Sequence, residues 1–176
     1  LAREVLAQVT ENDLENNNFP FGTCQNIVIK EELSLEVSNI LALRVTYVGE
    51  LGWELHMPRD SADSVYEVLM EAGKDSRISN AGYRAIESLR LEKSYRAWGA
   101  DITADTTPFE AGLGWAVKLN SGTHFIGREA LLAQQNKPLQ KRLACFTIDD
   151  PEVVLLGRET IYRNGDVVGW LTRGGW

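Results

Sequence analysis

The sequence predicts an α+β fold in which an antiparallel sheet carries helices and is followed by an all-β stretch. Three observations lead there. The runs QNIVIKEE at 25–32 and ILALRVTYV at 40–48 read as strands, the second rich in branched and aromatic residues, and GWELHMP at 52–58 resumes alternation after a short connection. Between residues 61 and 98 the apolar spacing changes to the i, i+3, i+4 pattern of helices. Beyond the polar, proline-bearing NKPLQK at 136–141 only strand-like patterns remain, so a boundary at Pro138 separates residues 1–137 from 138–176.

Taken in order, LAREVLAQV puts Leu1, Val5, Leu6 and Val9 on one helical face, and the acidic, Asn-rich stretch 10–18 that follows has no period. Residues 25–32 and 40–48 read as strands joined through a polar bend around Val37 to Asn39. Gly49-Glu50-Leu51-Gly52 reads as a tight hairpin connection. Ser61 caps an amphipathic helix over 61–73, with Val65, Val68, Leu69 and Ala72 on its apolar stripe and Gly73 at its end. A second helix is predicted over 81–98, with Ala85, Ile86, Leu89 and Lys93 along one stripe and Glu92 four residues before Arg96. The stretch ADITADTTPFEAGLGW is irregular, AVKLN reads as a short strand, and FIGREALLAQQ as a helix opened near Gly127. RLACFTI and the segment around RNGDVVGWLTR are strands, with Asn164-Gly165 as a type I′ turn. Leu43, Val45, Leu55, Val65, Leu69, Ile86 and Leu89 form the expected core.

Charge narrows the functions. Against 18 Lys and Arg stand 25 Asp and Glu, a net charge of −7, which lacks the footprint of nonspecific nucleic-acid or anionic-membrane binding. No apolar run approaches the roughly 20 residues of a membrane-spanning helix. Cys24 and Cys145 are far apart and neither His56 nor His124 has metal-ligand spacing, so reduced thiols and no metal are expected. The chain starts at Leu1 and stops at a strand-like GWLTRGGW, as a piece of a longer polypeptide would.

The hairpin register gives the sharpest local inference. A turn centred on Glu50 and Leu51 pairs Tyr47 with Glu54 and puts them on one face with Leu41, Leu43 and Val45. An acid among apolar neighbours is costly unless something donates to it. Glu54 is therefore either satisfied within the protein, by His56 on the same face, a salt bridge or a backbone amide, or it awaits a ligand donor. Tyr47 by itself reads as a core residue, and so do the Trp98 and Trp115 indoles. Asp101, Asp105 and Glu110 read as solvated loop acids whose spacing selects no chemistry. There is no GxSxG, HExxH, P-loop or GxGxxG signature.

Five blocks then occur in one order: YVGELGWEL at 47–55, NAGYRAIESLRLEKSYRAWGADIT at 80–103, TPFEAGLGWAVKL at 107–119, FIGREALL at 125–132 and RNGDVVG at 163–169. Together they resemble the C-terminal, folate-binding half of the sarcosine and dimethylglycine dehydrogenase family, itself similar to the aminomethyltransferase (T-protein) of the glycine cleavage system. Tyr83-Arg84-Ala85-Ile86 and the RNGDVVG turn bring it nearer the sarcosine type. The resemblance implies that residues 1–137 are part of an aminomethyltransferase-like folate domain, and that 138–176 begin a β-barrel with an unpaired edge after Trp170.

It also implies a flavoprotein that oxidises an N-methyl amine. FAD is bound by an upstream domain not in this chain, and the one-carbon unit is captured on tetrahydrofolate as 5,10-methylene-tetrahydrofolate. Glu54 matches the family's pterin-binding acid, Tyr47 the aromatic flanking the folate and Trp115 a tryptophan on its far side. A carboxylate suits a pterin edge because it accepts the ring NH and the exocyclic amino group together. Where T-protein has an Arg for the glutamyl tail this chain has Ile86, with Arg84 two places earlier. The family's Asp that assists transfer at the folate nitrogen lies upstream, so no catalytic residue is assigned here and these residues alone are expected to be inactive.

The implied partners are the folate and the rest of the parent polypeptide, with no nucleic acid and no membrane. The compartment is the cytoplasm if the source is bacterial and the mitochondrial matrix if it is eukaryotic. Two other readings stand beside this one. The first is a non-catalytic regulator acting by protein contact, like the pyruvate dehydrogenase phosphatase regulatory subunit. The second is a folate-dependent iron–sulfur assembly protein, whose motif ending in Gly-Gln-Glu is missing.

Overall fold

The computed structural model describes residues 1–30 and 36–175, and the chain divides into two compact units, Leu1–Leu89 and Arg90–Trp176. The first unit contains α1 (Ala2–Val9), β1 (Cys24–Lys30), β2 (Glu36–Leu43), β3 (Glu54–His56) and α2 (Ala62–Ala72), and α3 (Tyr83–Glu92) carries the chain out of it. The strands form one antiparallel sheet in the order β1-β2-β3. Ile27, Ile29, Ile40 and Ala42 project from one sheet face into a core completed by Leu6 and Val9 of α1, Leu14, Phe19 and Val65 of α2. Each large aliphatic chain buried there contributes about 1.5–3 kcal/mol. Val68, Leu69 and Ala72 pack against the same cluster, which places the apolar stripe of α2 where its spacing predicts.

A bulge replaces the expected polar bend. Ile27 faces Ile40 but Ile29 faces Val37, so Val28 stands opposite two residues of β2. The Val28 amide, displaced from the ladder, donates instead to Asn12 Oδ1 at 3.1 Å. Residues 31 and 32, the end of the predicted first strand, lie outside the described residues. After α2 the chain turns so tightly that a Cβ on Gly73 would lie 2.6 Å from Ile78 Cβ, which makes glycine a packing requirement.

The predicted helix over 81–98 ends early. In α3 the Tyr95 amide donates to the Arg90 carbonyl and Ser94 to Leu91, with Ser94 at φ 56°, a Schellman cap built on serine instead of glycine. Leu89 is 38% exposed and Ile86 half-buried, and neither belongs to the core cluster. The 3.6-residue spacing was thus continued by chance past the capping turn.

In the second unit, α4 (Arg128–Gln135) opens at Gly127 as expected, and β4 (Thr160–Arg163) pairs antiparallel with β5 (Asp166–Trp170). Asn164 and Gly165 join them at φ 55° and 90°, the positive values a type I′ turn requires. AVKLN forms no strand: Gly114–Ala116 is a 3-10 turn, and turns follow it. Nor does RLACFTI, because among the described residues its backbone has no ladder partner; Leu143 instead donates to the Glu110 carbonyl at 2.8 Å. Branched residues favour an extended chain, but only a neighbouring strand makes it a sheet.

The second unit is organised around charge. Arg90 is 1% exposed and forms an ion pair with the buried Asp101 side chain. Asp101 Oδ2 also accepts from the Ala97 amide at 2.9 Å and Oδ1 from the Thr172 hydroxyl at 2.8 Å. Asp101 is therefore a structural anchor and not the solvated loop acid its neighbours suggested. Among the described residues no helix is long and apolar enough to cross a membrane.

Candidate functional site

The site residues of the first unit sit on the loop 44–53 and on β3, and the observed register differs from the predicted one. Glu54 faces Leu43, not Tyr47, and His56 faces Leu41. The connection is a wide loop and not a tight turn. The offset is four residues, an even number, so Leu41, Leu43, Glu54 and His56 still share a face.

The loop is wide because its two ends are held. Arg44 exchanges backbone hydrogen bonds with the Gly22–Thr23 segment, at 2.9 Å each. Its buried guanidinium donates to the Phe19 carbonyl and, at 2.6 Å, to Asn16 Oδ1. The same guanidinium lies 5.8 Å from the centroid of the Trp53 ring, and that ring packs at 6.2 Å against fully buried Phe19. Arg44 and Trp53 thus clasp the neck of the loop, and a turn at Glu50-Leu51 tight enough to pair Tyr47 with Glu54 would pull Trp53 away from Phe19. Sequence reasoning missed Arg44, although a signal was there: it falls in phase with Ile40 and Ala42, where a cation needs an explanation.

The face that carries Glu54 is the outer one. Leu41 is 38% exposed, Leu43 and Val45 are half-buried, and Ile40 and Ala42 occupy the core side instead. ILALRV is apolar at both parities, so alternation does not choose between its faces. Accordingly the Glu54 side chain is 55% exposed, and it is not the inward carboxylate expected. Its Oε2 lies 3.3 Å from His56 Nε2, so the protein-donor alternative is met in part, while Oε1 carries no hydrogen bond among the described residues. Tyr47, on the loop, is 40% exposed.

Trp115 belongs to the second unit, on the Gly114–Ala116 turn, and its side chain, like that of Trp98, is mostly exposed; neither marks a core. An open cleft of about 460 Å³ in that unit is lined by Phe109, Val117, Lys118, Asn120, Ser121 and Gln135 among others, and Trp115 is not in its wall. Ile86 is half-buried on α3 and Arg84 is exposed. Glu110 accepts from both the amide and the hydroxyl of Thr107, at 2.9 and 3.1 Å, and the amide bond holds its carboxyl below the usual range. Both cysteines are free thiols.

Helices with an antiparallel sheet and a following β-hairpin make this an α+β fold, similar to that of a solved aminomethyltransferase. Residues 1–121 match the family described as the GCVT N-terminal domain and residues 141–176 match the glycine cleavage T-protein C-terminal barrel domain, so the chain belongs to the glycine cleavage T-protein family. Over 172 residues, 98% of this chain and 18% of the relative, it is 46% identical to mitochondrial sarcosine dehydrogenase of Mus musculus. Over 175 residues, 98% of this chain and 19% of the relative, it is 43% identical to mitochondrial dimethylglycine dehydrogenase of Homo sapiens. The chain thus spans about a fifth of the length of these curated relatives. Among solved structures, the aminomethyltransferase T of the glycine cleavage system from Bartonella henselae matches with a TM-score of 0.65 and 32% identity, covering 78% of this chain and 38% of the other.

Proposed function

We propose that this chain is the tetrahydrofolate-binding region of an FAD-dependent N-methyl amine dehydrogenase acting on sarcosine or dimethylglycine. The observation that carries the reading is the accessible Glu54 carboxylate on β3, more than half exposed at the end of the Tyr47 loop. An acceptor of that kind takes the ring NH and exocyclic amino group of a pterin as a charged, paired hydrogen bond. The aromatic ring of Tyr47, 40% exposed on the loop of the same unit, is of the kind on which a flat pterin stacks. When bound, tetrahydrofolate supplies the nitrogens that take up a one-carbon unit as 5,10-methylene-tetrahydrofolate.

In this reading the flavin is held by other parts of the parent polypeptide, which is also the chain's principal partner. These residues by themselves bind folate incompletely and do not catalyse. The compartment follows the source: mitochondrial matrix in a eukaryote, cytoplasm in a bacterium. The test is quenching of the tryptophan fluorescence of the full chain by tetrahydrofolate. Saturable quenching is expected, with affinity about tenfold weaker or more in Glu54→Gln, since a hydrogen bond to a charged group contributes about 1.5–3 kcal/mol. Glu50→Gln should bind like the parent. Absence of saturable quenching, or equal loss in both variants, overturns the proposal and leaves a regulator acting by protein contact as the better reading.

A further inference from the structure

Glu54 is only as good an acceptor as its orientation, and on the outer sheet face the His56 side chain lies beside it. Glu54 and His56 are separated by one residue on β3, so their side chains leave the strand on the same side. His56 Nε2 reaches Glu54 Oε2 at 3.3 Å. An ionised carboxylate is an acceptor only, so the imidazole nitrogen in this contact carries the hydrogen. Leu43 opposite Glu54 and Leu41 opposite His56 offer no competing donor. Arg44 falls on the other face, with its guanidinium committed to Phe19, Asn16 and Trp53.

We infer that His56 is a positioning residue: by donating to one oxygen it fixes the plane of the Glu54 carboxylate and leaves Oε1, with the second lone pair of Oε2, aimed away from the strand for a paired NH donor. This rests on the folate reading above and adds a residue to it. An unrestrained glutamate in water would have to be ordered by the ligand itself, at a cost in affinity. A single ring N–H on one oxygen leaves the other oxygen for the ligand, whereas the fork of an arginine at the same position would engage both.

The experiment is a double-mutant cycle on the full chain, read as the dissociation constant for tetrahydrofolate by tryptophan quenching. His56→Leu should weaken binding by about three- to tenfold, the scale of one modest hydrogen bond. His56→Gln, which keeps an N–H donor, should stay within about twofold of the parent. In the Glu54→Gln background, His56→Leu should have no further effect. The unfolding midpoints should not move, because the His56 side chain is 57% exposed. If Glu54→Gln weakens binding while His56→Leu does not, or if the His56→Leu penalty persists without the carboxylate, the positioning role is wrong and the folate reading stands. If Glu54→Gln binds like the parent, both fall.

Discussion

The two units of this chain are stabilised by different physics. In Leu1–Leu89 the fully buried side chains include Phe19, Ile27, Ile29, Ile40 and Val65, a sheet-and-helix core of the ordinary apolar kind. In Arg90–Trp176 the buried residues among those described are Arg90, Ala111 and Leu119, and the most deeply buried large side chain is a cation. There the irregular backbone is tied by side chains. Arg90 holds the Tyr95 carbonyl at 2.7 Å, Arg96 the Ala111 carbonyl at 2.9 Å, and Glu159 the amides of Leu156 and Gly157 at 3.0 and 2.8 Å. A region with few ladders must satisfy its backbone groups in this way, and it does so with polar side chains that an apolar core would exclude.

The comparison is broken most forcefully at Asp101. Asp101→Ala removes one member of a buried ion pair, which costs about 3–5 kcal/mol. Amide hydrogen exchange should show protection lost over residues 94–112 and at Thr172, with the β1 and β2 amides unchanged. Equal loss in the sheet would mean that the two units open together. A smaller loss is expected at the apolar core. Ile40→Val should cost about 0.5–1.5 kcal/mol, read as a lowered denaturation midpoint of the first unit. A neutral result there would mean that the sheet–helix core is loosely packed.

Acid supplies the finest distinction. The Glu110 carboxyl is held below its ordinary value, first by the Thr107 amide. Its contribution is therefore present above the unfolded carboxylate value of about 4.3 and is lost as pH falls through the lower folded one. Exchange at the Thr107 amide should accelerate relative to its neighbours below about pH 4 in the parent. That pH dependence should vanish in Glu110→Gln.

What was legible depended on whether a residue's role is local. Helices α1, α2 and α4, the type I′ turn at Asn164-Gly165 and the apolar stripe of α2 follow from spacing and turn chemistry within a few residues. The strand at 142–148 and the long helix over 81–98 were misread because the deciding partner is distant or concealed. Among the described residues the first has no neighbouring strand, and the other is capped by Ser94 in a conformation serine rarely adopts. The candidate residues Tyr47, Glu54 and Trp115 are named by the order of family-like blocks, but the outward attitude of Glu54 is not.

By itself the sequence determined the α+β class, the family and the parity of β3, because composition, block order and the two-residue strand period are properties of the chain alone. Tertiary structure decided which face of ILALRV is buried, how wide the loop 44–53 opens, and that Asp101 is an anchor. Each of these turns on a competition between distant groups: Phe19 for Trp53, Asn16 for Arg44, and Arg90 for Asp101. A linear pattern shows the competitors, and only their packing shows which contact wins.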